Sequence, residues 1–189
     1  MSRFIGMALL ASMAAIAIFA GCGFGQTQNA PQSEKSETEE AEKTIETKVE
    51  IGYMAPDFEA ALLGGETVKL SDCRGKAALV SFWATWCTPC TDGMPGLRAL
   101  ADEFGGDLAV LAINCGEKKG IVEAFAAENG CGFFIGLDES GAIQKKYPTN
   151  VMPYTLIIDP AGIITEIYLG AGGGTFSAYE KDINAALGR

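Results

Sequence analysis

No histidine occurs anywhere in the 189 residues of this chain. That absence removes the Ser–His–Asp and Cys–His routes to an activated nucleophile, and with them every histidine-ligated metal site. Basic residues are scarce as well: 14 Lys and Arg stand against 24 Asp and Glu, for a formal charge of −10. A phosphate-binding surface needs clustered Lys and Arg, so nucleic acid is not an expected partner. What remains for chemistry is cysteine, carboxylate, lysine, tyrosine and the backbone. Against that background six cysteines stand out, in a chain whose 48% apolar content is enough for one packed core.

The N-terminus has a layout of its own. Met1-Ser2-Arg3 carries positive charge, an apolar run follows from Phe4 to Ala20, and it closes on Phe19-Ala20-Gly21-Cys22. A basic start, an apolar middle and small residues at the end describe a secretory signal. The small residues ahead of Cys22 resemble a bacterial lipobox, which implies a signal peptide over 1–21 and a lipidated Cys22 as the mature N-terminus. An uncleaved anchor and plain secretion are the alternatives, and each places the rest of the chain outside the cytoplasm. From Cys22 to residue 50 the chain becomes rich in Gln, Ser, Thr, Glu and Lys. Such a segment cannot bury enough apolar surface to offset chain entropy, so a disordered acidic tether is expected there. A flexible coil of about 28 residues spans roughly 30 Å.

The globular part is expected over 51–189. Phe58–Leu62 and Thr67–Leu70 around Gly64-Gly65 read as a β-hairpin. Ala77–Phe82 and Leu108–Ile113 are short apolar runs of the kind buried on both faces of a sheet. Between them, Met94, Leu97, Leu100 and Phe104 carry helical spacing over 89–104. A helix over 120–127 stopping near Gly130, a strand over 133–137 and a short helix over 140–146 come next. Tyr154–Ile158 and Ile163–Tyr168 pair around Asp159-Pro160-Ala161-Gly162, and Ser177–Leu187 closes the chain as a helix. Parallel strands with crossover helices and a terminal hairpin give an α/β sandwich.

Trp83-Ala84-Thr85-Trp86-Cys87-Thr88-Pro89-Cys90 lies where the first long strand meets the first helix. Two cysteines three apart at a helix start can close a small disulfide. The first sits where free N–H groups and the helix dipole favour a thiolate, the species that attacks disulfides. Cys87 is therefore expected to be the nucleophile and Cys90, one turn further in, the resolving thiol. Pro89 falls early in the helix, where its missing N–H costs little. A four-cysteine zinc site would need a second close pair, which Cys73, Cys115 and Cys131 do not form. No metal and no cofactor are expected.

Ser81–Cys90 resembles the active-site segment of the thioredoxin family. Ala55-Pro56-Asp57-Phe58, Leu70–Lys76 and the extra helix and strand between Cys115 and Tyr147 are similar to its membrane-tethered TlpA/ResA branch, and the resemblance covers 51–189. It implies a thioredoxin-like fold with an N-terminal β-hairpin and a central inserted helix–strand. Met152-Pro153-Tyr154-Thr155 resembles the family's cis-proline loop facing the redox pair, which implies a substrate groove built from Trp86, Thr88, Pro89, Met152 and Pro153. Two positions depart from the family. Gly93 stands where the ResA-like proteins carry a glutamate, and Ser81 where thioredoxin has a buried aspartate. Asp92 or water are the remaining candidates for proton transfer.

The leftover cysteines are odd in number. Cys73 and Cys131 both lead into parallel strands and so belong to the same sheet edge, which suggests a structural disulfide between them; buried, inert thiols are the alternative. Cys115 ends its strand and belongs to the redox edge. The expected activity is disulfide reduction in exported proteins through a Cys87 mixed disulfide, with electrons from a membrane thiol–disulfide donor and attachment through the lipid on Cys22. Thiol oxidation or isomerisation, a peroxidase and a non-enzymatic binding lipoprotein are the other readings.

Overall fold

A computed structural model describes residues 46–130, 135–172 and 174–189. The signal segment, Cys22, most of the tether and Cys131 lie outside these residues. The elements follow in the order β1 (Glu59–Leu62), β2 (Thr67–Lys69), β3 (Ala77–Trp83), α1 (Thr88–Phe104), β4 (Leu108–Cys115), α2 (Lys119–Asn129), β5 (Ile135–Asp138), α3 (Ala142–Lys146), β6 (Tyr154–Ile158), β7 (Ile164–Leu169) and α4 (Phe176–Ala186). Short 3₁₀ turns at Leu70–Cys73 and Gly105–Asp107 lead into β3 and β4.

One seven-stranded sheet has the order β2-β1-β5-β4-β3-β6-β7. The three strands β3, β4 and β5 run parallel, joined by α1 and α2, while the hairpins at either side run antiparallel to them. Both crossovers step the same way across the sheet, and right-handed connection then puts both helices on one face. The side chains agree: Ala77, Leu79 and Trp83 pack with Met94, Leu97 and Leu100 of α1, Val122 and Ala126 of α2, and Ile183 of α4. Ala78, Val80 and Phe82 face the other way, into Phe58, Leu70, Ile143 and Tyr147. Every residue of β3 is buried because both its faces are covered, which is why it reads as an unbroken apolar run.

Local punctuation sets the boundaries. Gly130 caps α2 in the left-handed region at φ 63°, where a side chain would be strained. Gly162, at φ 90°, closes the β6–β7 turn, and Asp159 Oδ1 accepts the Ile163 N–H at 2.8 Å. Pro95 stands inside α1 and withholds one rung of its hydrogen-bond ladder.

The sheet has two functionally different ends. Trp83 ends β3 just before the cysteine motif, whereas Ala78 lies level with Ile158, and Ile158 with Ile164, at the other end. At that far end the Gly52 N–H donates to Ile164 O at 2.8 Å and Met54 bridges to Ile163. An isolated bridge reaches upstream of Ile51, since Lys48 N–H donates to Met54 O and Met54 N–H to Glu46 O. No described helix is long and apolar enough to cross a membrane.

Candidate active site

Strand β3 ends in a four-residue turn, Ala84–Cys87, that delivers the motif to α1. Cys87 is the N-cap of α1, in extended backbone, with proline in the first turn. Its carbonyl accepts from Cys90 N–H at 2.9 Å and Thr91 N–H at 3.0 Å. Cys87 and Cys90 form a disulfide, with their Cα atoms 5.3 Å apart. The helix N-terminus provides the free N–H groups and positive dipole end that favour a thiolate on the first cysteine after reduction.

The two sulfurs meet different surroundings. Cys87 borders a groove with Trp86, Cys115, Gln144, Thr149, Val151 and Met152. Trp86 is 70% exposed and Val151 38% exposed, so the groove has an apolar rim open to solvent. Cys90 instead borders a cleft of about 230 Å³ floored by Ser81 and Thr155 and walled by Met94, Pro153, Phe176 and Tyr179. The peptide bond Met152–Pro153 is cis, in line with the expectation for this loop. Of the residues placed at the groove, Trp86, Thr88 and Pro89 are exposed and Met152 and Pro153 half-buried, all close along the chain or in space to the disulfide.

The two departures from the family pattern both fall on the Cys90 cleft. Ser81 is buried and shares a hydrogen bond with the buried Thr155 hydroxyl at 2.9 Å, so an uncharged pair occupies the floor. Gly93 adds no side chain there, and three residues on, a Cβ at Gly96 would run into the Phe176 ring. Among the described residues lining the cleft, the exposed Asp92 is the one carboxylate.

Cys73 and Cys115 are free and buried. Burial pushes both thiols up; for Cys115, with Asp138 nearby adding to the effect, the value is about 12. Cys115 Sγ donates to Ile113 O at 3.6 Å and Cys73 Sγ to Lys69 O at 3.8 Å. The pairing of Cys73 with Cys131 involves a residue outside those described.

One functional-site residue has no part in the sequence argument. Glu117 lies two residues past the end of β4 and reaches back to the turn before Cys87. Its Oε2 accepts the Thr85 N–H at 2.7 Å and Asn114 Nδ2 at 2.8 Å, and its Oε1 accepts the Thr85 hydroxyl at 2.6 Å. Burial acts to raise this carboxyl, but the three donors outweigh it and hold the pKa below the usual 4.5. The available signal is positional: ligand and catalytic groups of open α/β sheets gather beyond the carboxyl ends of the strands.

Residues 51–167 match the AhpC/TSA family. The chain belongs to the AhpC/TSA family. Within it, the thiol-disulfide oxidoreductase ResA of Geobacillus kaustophilus (strain HTA426) is 38% identical over 128 residues, covering 67% of this chain and 74% of that protein. The crystal structure of a Chlorobium tepidum protein assigned as thiol:disulfide interchange protein DsbE superposes with a TM-score of 0.69 at 30% identity, covering 74% of this chain and 99% of that one. The pneumococcal exposed lipoprotein thioredoxin Etrx1, from Streptococcus pneumoniae strain TIGR4, gives a TM-score of 0.61 at 26% identity over 69% of this chain and 99% of its own. This AhpC/TSA family member is a thiol-disulfide oxidoreductase with the thioredoxin-like fold.

Proposed function

We propose that the protein is an extracytoplasmic disulfide reductase that acts on exported proteins and is held at a membrane by a lipid on Cys22. The observation that carries the mechanism is the different lining around the two cysteines: Cys87 borders a groove rimmed by the exposed Trp86 and Val151, and Cys90 a separate cleft floored by Ser81 and Thr155. In the reduced protein the Cys87 thiolate attacks one sulfur of a substrate disulfide. A Cys87–substrate disulfide forms and the other substrate sulfur leaves as a thiolate. The Cys90 thiolate then attacks the Cys87 sulfur, which closes Cys87–Cys90 and releases the second substrate sulfur as a thiolate. Both released thiolates take up protons. The substrate gains two electrons and the enzyme loses two, to be restored by a membrane donor carrying its own thiol pair.

The location is supported by the signal-like segment and by Cys22 after Ala20-Gly21. Labelled fatty acid should enter the wild-type chain in its bacterial host and not Cys22→Ala; equal labelling of both would remove the anchor. The direction of electron flow is tested by the reduction potential of Cys87–Cys90 in a soluble domain, titrated against glutathione or dithiothreitol. Thioredoxin lies near about −270 mV and strong oxidants near about −120 mV. A value at or below about −220 mV fits a reductase, and one above about −180 mV makes the protein an oxidase or isomerase of exported proteins.

The family name also covers peroxide chemistry. In this chain Ala84 occupies the place where peroxidases carry threonine or serine before the reactive cysteine. The reduced protein should consume peroxide no faster than a Cys87→Ser control.

A further inference from the structure

The turn that presents Cys87 is held from outside the motif by a residue of another strand end. Thr85 is half-buried and gives both its N–H and its hydroxyl to Glu117, at 2.7 and 2.6 Å. The Thr85 N–H belongs to the same peptide group as the Ala84 carbonyl, and that carbonyl accepts the Cys87 N–H at 3.1 Å. Glu117 and the backbone of Cys87 thus sit on opposite ends of a single planar peptide unit, which cannot rotate without breaking both contacts. The carboxylate is itself oriented by Asn114, which is fully buried and donates Nδ2 at 2.8 Å. Asn114 is the register partner of Trp83, the last residue of β3. The chain of contacts runs from a rigid core strand, through two side chains, to the nucleophile's own N–H.

We infer that Glu117 is a positioning residue for the redox reaction, a carboxylate clamp that fixes the Ala84–Thr85 peptide and thereby the attack geometry of Cys87. The inference rests on Cys87 being the nucleophile. It assigns Glu117 no contact with substrate and no proton transfer. What the clamp supplies is restriction: among the described residues, Glu117 is the one hydrogen-bond acceptor for the Thr85 N–H. A nucleophile that samples misaligned positions attacks more slowly even at unchanged thiolate content.

The test uses the reduced full-length protein and an aromatic disulfide probe that releases a coloured thiolate. Cys87 attack releases the first thiolate, and Cys90 attack on the resulting mixed disulfide releases the second. Rates are taken as a function of pH, well below each variant's melting temperature, so that the thiolate pKa and the limiting rate separate. Glu117→Ala is expected to lower the limiting rate of the first release about tenfold, equivalent to about 1.4 kcal/mol of barrier. Glu117→Gln keeps an oxygen for the Thr85 and Asn114 donors and can donate to the Thr85 hydroxyl, so it should stay within about threefold of wild type. A Glu117→Ala rate equal to wild type, even with a lowered melting temperature, would reduce Glu117 to a structural role and overturn the inference. A Glu117→Gln rate as low as that of Glu117→Ala would also overturn it, because loss of charge would then matter more than geometry. If Glu117→Ala does not fold, Glu117→Asp takes its place: the shortened carboxylate keeps the charge but withdraws from the Thr85 N–H, so it should slow the first release, and a rate equal to wild type refutes the clamp. Cys87→Ser retaining the fast release would instead refute the assignment of the nucleophile, an outcome distinct from any shown by the Glu117 variants.

Discussion

Replacing Gly96 by alanine should change sign with its neighbour. Glycine inside a helix is normally about 0.5–1 kcal/mol worse than alanine, so Gly96→Ala in the middle of α1 would ordinarily stabilise. Here the new methyl would run into the Phe176 ring, with three ring carbons within 2.5 Å of it. Phe176 has only two side-chain rotations and must swing outward. Doing so loses its edge-on contact with Tyr179, centroids 5.9 Å apart, worth about 0.5–1.5 kcal/mol. It also loses part of the burial of a side chain that is 41% exposed. About 100 Å² of buried area at roughly 25 cal/mol per Å² gives an upper figure of about 2.5 kcal/mol. Losing about half of that, together with the ring contact, outweighs the helical gain and leaves Gly96→Ala destabilising by about 1 kcal/mol. In a Phe176→Ala background the obstacle is gone and the same change should stabilise by about 0.5–1 kcal/mol. A double-mutant cycle on urea midpoints of the oxidised protein, at constant m-value, should therefore give a coupling of about 1.5–2 kcal/mol. Gly96→Ala stabilising in both backgrounds, with coupling near zero, would show that Phe176 does not rest on α1 and does not wall the cleft beside Cys90.

Three further outcomes follow from the same geometry. Alkylation of the reduced, folded protein at pH 8 should label Cys87 and spare Cys115, whose buried thiol is pushed to about 12, until urea unfolds the chain; peptide mass spectrometry reads this, and equal labelling would contradict its burial. Ser81→Ala leaves the buried Thr155 hydroxyl without its partner and should cost about 1–3 kcal/mol by urea denaturation, whereas Ser81→Ala with Thr155→Val should cost distinctly less, because neither polar group remains. Glu117 has a carboxyl pKa lowered in the folded state, so its contribution to stability is complete above the unfolded value of 4.5 and fades as pH falls through the folded one. The urea midpoint of wild type should accordingly drop more steeply than that of Glu117→Gln between pH 6 and pH 3, and parallel curves would argue that the three donors do not favour the ionised form.

The order of elements and the redox pair were legible because both rest on local signals. Unbroken apolar runs at Ala77 and Leu108, helical spacing after Pro89 and a glycine stop at Gly130 each carry their own physics. Boundaries moved by one or two residues: α1 begins at Thr88 with Cys87 as its cap, and β7 at Ile164. What could not be read were contacts made only when the sheet assembles. Thr85 and Glu117 are 32 residues apart, and nothing in either neighbourhood announces the other. Phe176 and Gly96 come from α4 and α1, far apart in the chain, and glycine in a helix usually reads as a weakness, not as a seat for a ring. The antiparallel seam between β1 and β5 has the same character: the hairpin was visible, but its docking beside β5 depends on the sheet edge that the α2 crossover creates.

The entry of the chain at the end of the sheet remote from the disulfide has a practical reach. Gly52 and Met54 join the sheet level with Ile164, and from Ile158 to Tyr154 the neighbouring strand spans about 13 Å toward the redox end, at about 3.3 Å per residue. A domain grafted through residue 46 onto an electrode, a bead or a fusion carrier would present its disulfide outward without any redesign of orientation. Pulling on that point loads the short pairings around Met54 and Ile163 first, so a force-clamp experiment could peel the entry segment away while the cysteine pair stays seated and able to report.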